Sequence, residues 1–255
     1  MQNLKAQATE KVSNLEELWT SLCKRDDCVD ILAFPKEECL VGLAAPTGLA
    51  HALISKGFSG KEELSIIVAG CEIIDVFKDG VFYFFLAPII EELIKAKADR
   101  DRMMISARLP KLFKIMLCGM NSQSTIIGKL PPLPHDSGRV KVRNSPTYLG
   151  VILSNHKESY DVCVLFQPGF EEFGADWLID HGLKRIIEDR ADTVFVYSYA
   201  KDEQLIDADF IKKNFNADVN IREESSFGIN IPISKHLPTT WAGHLMEVKR
   251  TGPNP

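Results

Sequence analysis

Four short apolar runs constrain this chain more than any other feature: LSIIVAG (64–70), LFKIMLCG (112–119), VCVLFQPG (162–169) and TVFVYSY (193–199). Each is too short and too rich in β-branched or aromatic residues for a helix, and each closes on a glycine or polar turn. Helical candidates lie between them. FLAPIIEELIKAKADR follows the first run, WLIDHGLKRIIEDR (177–190) the third and DADFIKKNF (207–215) the fourth. A strand that is apolar along its whole length has no face to show to water, so helices must cover both sides of the sheet. The pattern predicts an α/β fold: a Rossmann-like, mostly parallel sheet with helices on both faces and antiparallel edge strands at the C-terminus.

At 255 residues and 45% hydrophobic, the chain can bury one large core, and residues 1–255 read as a single domain. Residues 1–40 form a helical lead-in. Ser13 and Glu16 have the spacing of a capping box for a helix over 14–24, and Thr47 after Pro46 predicts a second, short helix ending at Gly57. Residues 124–148 break the rhythm with prolines at 131, 132, 134 and 146, and read as a long excursion with a hairpin strand at 140–143. From Asn220 onward, INIPISK and HLMEVKR alternate as edge strands do.

In open α/β sheets, ligands settle at the carboxyl ends of the strands, where turn amides and helix N-termini converge. The residues just beyond each run are therefore the candidate ligand- or partner-binding set: Glu72 after the first, Asn121 after the second, Gln167, Pro168, Gly169 and Phe170 after the third, and Ser198 and Tyr199 at the fourth. The abrupt Q-P-G ending of the third run is the strongest signal. Pro168 and Gly169 force a turn where a buried strand surfaces.

Known chemical motifs are thin. VAGCEIID offers strand, glycine and acid, but Glu72, Ile73 and Ile74 stand where a dinucleotide loop needs further glycines for the backbone to approach a pyrophosphate. No cofactor is predicted, and in particular no tight binding of NAD or S-adenosylmethionine. There is no phosphate-binding G-x-x-x-x-G-K-[ST] loop, no G-x-S-x-G elbow and no H-E-x-x-H. No catalytic residue stands out. His156, Tyr160 and Asp161 form the most enzyme-like cluster, but they precede the third run and fall at the wrong end of the sheet. Cys23, Cys28, Cys39 and His51 lack any known tetrahedral zinc spacing, so no metal site is predicted.

The net charge of −5 argues against a surface that is one nucleic-acid footprint. A local basic patch around Lys129, Arg139, Lys141 and Arg143, followed by Tyr148, could still hold an RNA backbone. The N-terminus has no apolar core of a secretory signal, and VFYFFLAPII is half the length of a membrane span and carries Pro88. An intracellular location, whether cytoplasmic, mitochondrial or nuclear, is expected.

Several of these runs also resemble a known family. LAAPTGLAHAL, LSIIVAGCE, LPKLFKIMLCG, DVCVLFQPGF, Trp177 and VFVYSYAKDE are similar, in order, to stretches of the C-terminal domain of the MYND-finger proteins related to the mitochondrial splicing suppressor and cytochrome oxidase translational activator. The likeness spans roughly residues 40 to 203. Gln167 stands where that family usually has asparagine, and no MYND zinc finger precedes the domain. The resemblance implies a Rossmann-like fold and a site at Glu72, Gln167, Pro168, Gly169, Trp177, Ser198 and Tyr199. It also implies a non-catalytic regulatory module of gene expression that contacts a protein partner. The alternative is an enzyme or ligand-sensing domain that binds a nucleotide-like small molecule at the strand ends.

One expectation concerns redox state. None of the six cysteines forms a C-x-x-C pair, and three lie within or just after the apolar runs, as free thiols in a reducing compartment do. Mass spectrometry after alkylation under denaturing conditions should find six free thiols, and a native disulfide would contradict the intracellular reading.

Overall fold

The structure is a computed structural model, and it describes residues 12, 14–71, 80–95, 97, 99–119, 138–155, 157–180, 182–224 and 243–251. Seven strands form one sheet in the order β3-β2-β1-β4-β5-β7-β6. They are β1 (Glu63–Ala69), β2 (Leu112–Cys118), β3 (Val140–Ser145), β4 (Val162–Phe166), β5 (Val194–Ser198), β6 (Ala217–Glu224) and β7 (His244–Arg250). The four apolar runs thus become β1, β2, β4 and β5, all parallel. The Rossmann-like α/β reading holds.

Two cores flank the sheet, as strands buried on both faces require. On one side Ile66, Val68, Phe113, Val164 and Phe195 pack under α1 (Leu15–Leu22), α2 (Lys36–Lys56), a 3-10 turn at Val81–Phe85 and α3 (Leu86–Ile94). On the other, Ile67, Cys163, Leu165 and Val196 pack under α5 (Leu149–Asn155), α6 (Phe170–Ile179), α7 (Gly182–Arg185) with its π turn at Ile186–Arg190, and α8 (Lys201–Asn214). A further helix, α4 (Asp99–Ser106), lies between α3 and β2.

Several boundaries differ from expectation for physical reasons. Ser13 lies outside the described residues, and the cap of α1 is Asn14, whose side chain accepts from the Glu17 amide at 2.9 Å. The second helix is not short. It begins at Lys36 after Pro35 and runs straight through Pro46, so Thr47 caps nothing and is buried mid-helix. Proline costs that helix one backbone bond, and a helix buried among other helices can absorb the loss. By length and composition α2 could cross a membrane, but 67% of its most apolar stretch is buried inside the protein, as in a core helix.

The segment expected as a hairpin is β3, a parallel edge strand in register with β2, Phe113 opposite Val140 and Cys118 opposite Ser145. At the other edge, β7 is antiparallel to both β5 and β6 and is inserted between them, so β6 rather than β7 closes the sheet. The stretch INIPISK lies wholly outside the described residues.

At the amino ends of the strands, Asp161 acts as a clasp. Its carboxylate accepts from the Ser65 amide of β1 at 2.7 Å and pairs with Lys61, while its carbonyl accepts from Lys56 at 2.7 Å. This is the structural role that its place before β4 suggested; His156 lies outside the described residues.

The close packing of α2 generates a test. A methyl group added at Gly42 would sit 2.1 Å from a ring carbon of Phe82, which is buried between Phe34 and Phe85. Alanine would gain about 1 kcal/mol of helix propensity, but overpacking a fixed ring costs roughly 1–3 kcal/mol or more. Gly42→Ala should therefore lower the denaturation midpoint, and a higher midpoint would contradict this packing.

Candidate functional site

The chain runs from β1 outward to β2 and β3, then returns to place β4 on the other side of β1. That reversal lies between the carboxyl ends of β1 and β4, the position at which open α/β sheets have their ligand crevice. Gly70 and Cys71 form one lip, and Gln167, Pro168 and Gly169 form the other. Of the predicted residues, the structure thus brings Gln167, Pro168, Gly169 and Trp177 together against the end of β1. Glu72 and Asn121 fall outside the described residues.

Gln167 answers the question raised by the Q-P-G ending. Its backbone has φ +49°, and it is the one non-glycine residue with positive φ among the described residues. Holding a branched-free but Cβ-bearing residue there costs about 1–2 kcal/mol. The strand's last bond, from the Gln167 amide to Tyr197 O at 2.7 Å, fixes the residue in place. Its side-chain Nε2 is buried with no hydrogen-bond partner among the described residues. A buried donor left unpaired costs roughly 1–3 kcal/mol. Strain and an idle donor thus coincide at one residue.

Gly169 follows in the left-handed region, φ +58°, and caps α6 without any side chain; its carbonyl accepts from the Glu172 and Phe173 amides. This explains why α6 starts at Phe170 rather than at Trp177. The usual Ser, Thr, Asp or Asn signal is missing at the cap.

Trp177, on α6, ties the two lips together. Its indole Nε1 donates to Pro168 O at 2.9 Å, and its ring lies where a Gly70 side chain would be, 2.6 Å from an ideal Cβ. Gly70 (φ +69°) therefore makes room for Trp177, not for a ligand. Beside it, the Cys71 amide donates to Cys118 O at 2.8 Å, which joins the ends of β1 and β2. Burial pushes the Cys118 thiol up to about 12, so it is no nucleophile at neutral pH.

Two predicted residues belong to the scaffold instead. Phe170 is buried between Trp177 (centroids 5.8 Å apart) and Phe210 (4.6 Å). Ser198 is fully buried and donates its hydroxyl to Asp207 Oδ2 at 2.6 Å. Tyr199 sits at the next turn, where its amide donates to Glu203 Oε2 at 2.8 Å. Sequence reading missed Asp207 because it lies mid-helix on α8. Of the basic set, Arg139 is paired with Glu91 at 2.6 Å, Lys141 and Arg143 alternate outward on β3, and Lys129 lies outside the described residues. None of the three described residues reaches the crevice lips. Among the described residues no three His, Cys, Asp or Glu gather as metal ligands.

No family model matches the chain, and no curated protein matches it. Among solved structures it is similar to an rRNA methylase from Streptococcus thermophilus, with 8% identity, 80% of this chain and 95% of that one covered, and a TM-score of 0.39. It is also similar to a human methyltransferase 10 domain containing protein, at 12% identity, 82% and 84% coverage and a TM-score of 0.39. A third is an O-methyltransferase from Bacillus cereus in complex with SAH, at 11%, 96% and 94%, and a TM-score of 0.37. Likenesses this distant assign no activity to the chain. Nothing in the comparisons supports the expected non-catalytic regulatory module of gene expression, and that expectation is corrected: the solved structures similar to this chain are a methylase and methyltransferase proteins.

The buried carboxyl gives a pH test. Burial raises Asp207 to about 6, against the pull of the Ser198 hydroxyl and the Phe170 amide, with Glu203 and Glu171 adding repulsion. The folded chain thus favours the protonated form. Its contribution is intact below the unfolded carboxyl range near ~4 and is lost as pH rises through the folded value. Between pH 5 and 7, the melting temperature of the wild type should fall relative to that of Asp207→Asn. A constant difference across that range would contradict the assignment.

Proposed function

We propose that this chain is a small-molecule-binding α/β domain of the enzyme or ligand-sensor type, which holds a nucleotide- or nucleoside-like ligand in the crevice between β1 and β4. The observation that carries the reading is Gln167: a strained backbone and a buried amide donor without a partner, at the point where the strand order reverses. Strain of this kind persists where the surrounding structure over-determines it, and such positions cluster at ligand sites. A ligand acceptor, such as a base carbonyl or ring nitrogen, would satisfy the Gln167 donor. The Trp177 indole, fixed by its bond to Pro168, supplies an aromatic wall for a flat ring.

S-adenosylmethionine is the cofactor named for a structurally similar protein from Listeria monocytogenes, which has 13% identity to this chain and a TM-score of 0.39. The described residues do not fit it closely. The bare backbone at Gly70, where a phosphate or methionine moiety would close in, is covered by Trp177. The reading therefore rests on a nucleoside-like group and not on that cofactor.

Thermal shift against the common nucleosides and nucleotides tests the proposal, because a ligand selective for the folded state raises its melting temperature by mass action. Gln167→Gly should keep or raise the basal melting temperature by relieving the left-handed strain, about 1 kcal/mol at most, and should abolish the ligand-induced shift. A variant that keeps the full shift would refute the role given to Gln167.

A further inference from the structure

The two faces of the sheet are covered unequally. On the side of α5 to α8, the core takes residues from β1, β2, β4, β5, β6 and β7 but none from β3. Strand alternation decides what stands on the strip left bare. Phe113, Ile115, Leu117 and Val140 turn to the opposite core, so Lys114 and Met116 of β2 share the uncovered face with Lys141 and Arg143 of β3. Lys114 is level with Lys141, and Met116 with Arg143. Lys114, Lys141 and Arg143 are all exposed.

Neighbouring carboxylates do not cancel this charge. Lys114 pairs with Glu63 of β1, whereas Lys141 and Arg143 form no ion pair among the described residues. Glu158 and Arg143 both act on the buried Tyr160 hydroxyl but do not pair with each other. Arg139 drops out of the basic set seen in the sequence, because Glu91 holds it on the other side of the sheet, and Lys114 takes its place. Like charges level with one another on adjacent strands repel, so Lys114 beside Lys141 costs the fold stability. Tyr148, 55% exposed, stands at the carboxyl end of the strip, just before α5.

A chain of net charge −5 with one bare cationic strip is complementary to an anion at that strip and nowhere broader. Lipid surfaces are recruited by clusters of about four to eight basic residues, more than the strip presents. It is narrow, about 5 Å from β2 to β3 and roughly 7 Å from Lys141 to Arg143, which suits a thread of negative charge. Lysine and arginine hold a phosphodiester backbone by charge, and an exposed aromatic beside a basic track gives a base a surface to stack on. Independently of the crevice, we infer that the bare β2–β3 face binds single-stranded nucleic acid, with Lys114, Lys141 and Arg143 on the phosphates and Tyr148 against a base. Contacts of this kind tolerate any sequence.

Fluorescence anisotropy of the full chain with labelled oligouridylate and oligothymidylate, each about 12 nucleotides long, tests this over a range of salt. Three phosphate contacts on a single strand predict a slope of log K against log salt of about −2. Lys141→Gln/Arg143→Gln should weaken binding about ten-fold or more at low salt and bring the slope to about −1, while Tyr148→Ala should weaken it at an unchanged slope. The strip variant should keep or raise the denaturation midpoint, since it removes a like-charged pair. Lys212→Gln/Lys213→Gln, which removes the same charge from exposed positions on α8, should bind as the parent does, and so should Gln167→Gly. A preference for the uridylate would support the inference and mark a 2′-hydroxyl contact. Failure of both oligomers to bind at low salt, equal losses in the two double variants, or a loss in Gln167→Gly overturns it. Phosphatidylserine vesicles that capture the chain more strongly than either oligomer overturn it too, and assign the face to lipid.

Discussion

The hydrogen bond from the Trp177 indole to the Pro168 carbonyl, made while the indole ring fills the space beside Gly70, joins the three elements on which the site depends. It closes the β4 turn onto α6 and sets both against the end of β1. Without it, Gly70 would leave a gap, and the Q-P-G turn would have no fixed height above the sheet. Because the tie holds Pro168 from behind, Gln167 is kept in a conformation that a free turn would relax. The strain is thus maintained by packing in which Phe170 and Phe210 also share.

Asp207 supports the same turn from below. Its carboxyl takes the Ser198 hydroxyl at the end of β5 and faces the first amide of α6. The neighbouring strands β4 and β5 thereby end on a common polar strut. That strut costs desolvation, which is why the folded chain prefers the neutral carboxyl.

The fold was legible because four strands with no polar face leave few architectures open, and their ends fell within a residue or two of where turn residues placed them. What escaped the sequence did so for local reasons. Pro46 looked like a boundary, but a buried helix bridged it. The start of α6 carried no cap signal, because Gly169 caps it through the backbone alone. β3 read as a hairpin strand, since pairing partners across a long excursion leave no periodic trace. Among site residues, Gln167 and Trp177 were visible from the abrupt strand end and its sequel. Ser198 and Phe170 shared that position but are taken up by the scaffold, and Asp207, inside a helical pattern, gave no sign. The expected regulatory role came from family resemblance rather than from any charge or geometry in the residues, and it is the part that had to be replaced.

The central claim is that the unpaired Gln167 amide is a ligand donor at the β1–β4 crevice. A crystal structure of the chain grown with adenosine tests it most directly. The account predicts the nucleoside against the Trp177 indole, with an acceptor within 3.2 Å or so of Gln167 Nε2 and φ at Gln167 still positive. A ligand bound elsewhere, or a Gln167 amide paired with the protein and a relaxed backbone, would contradict it.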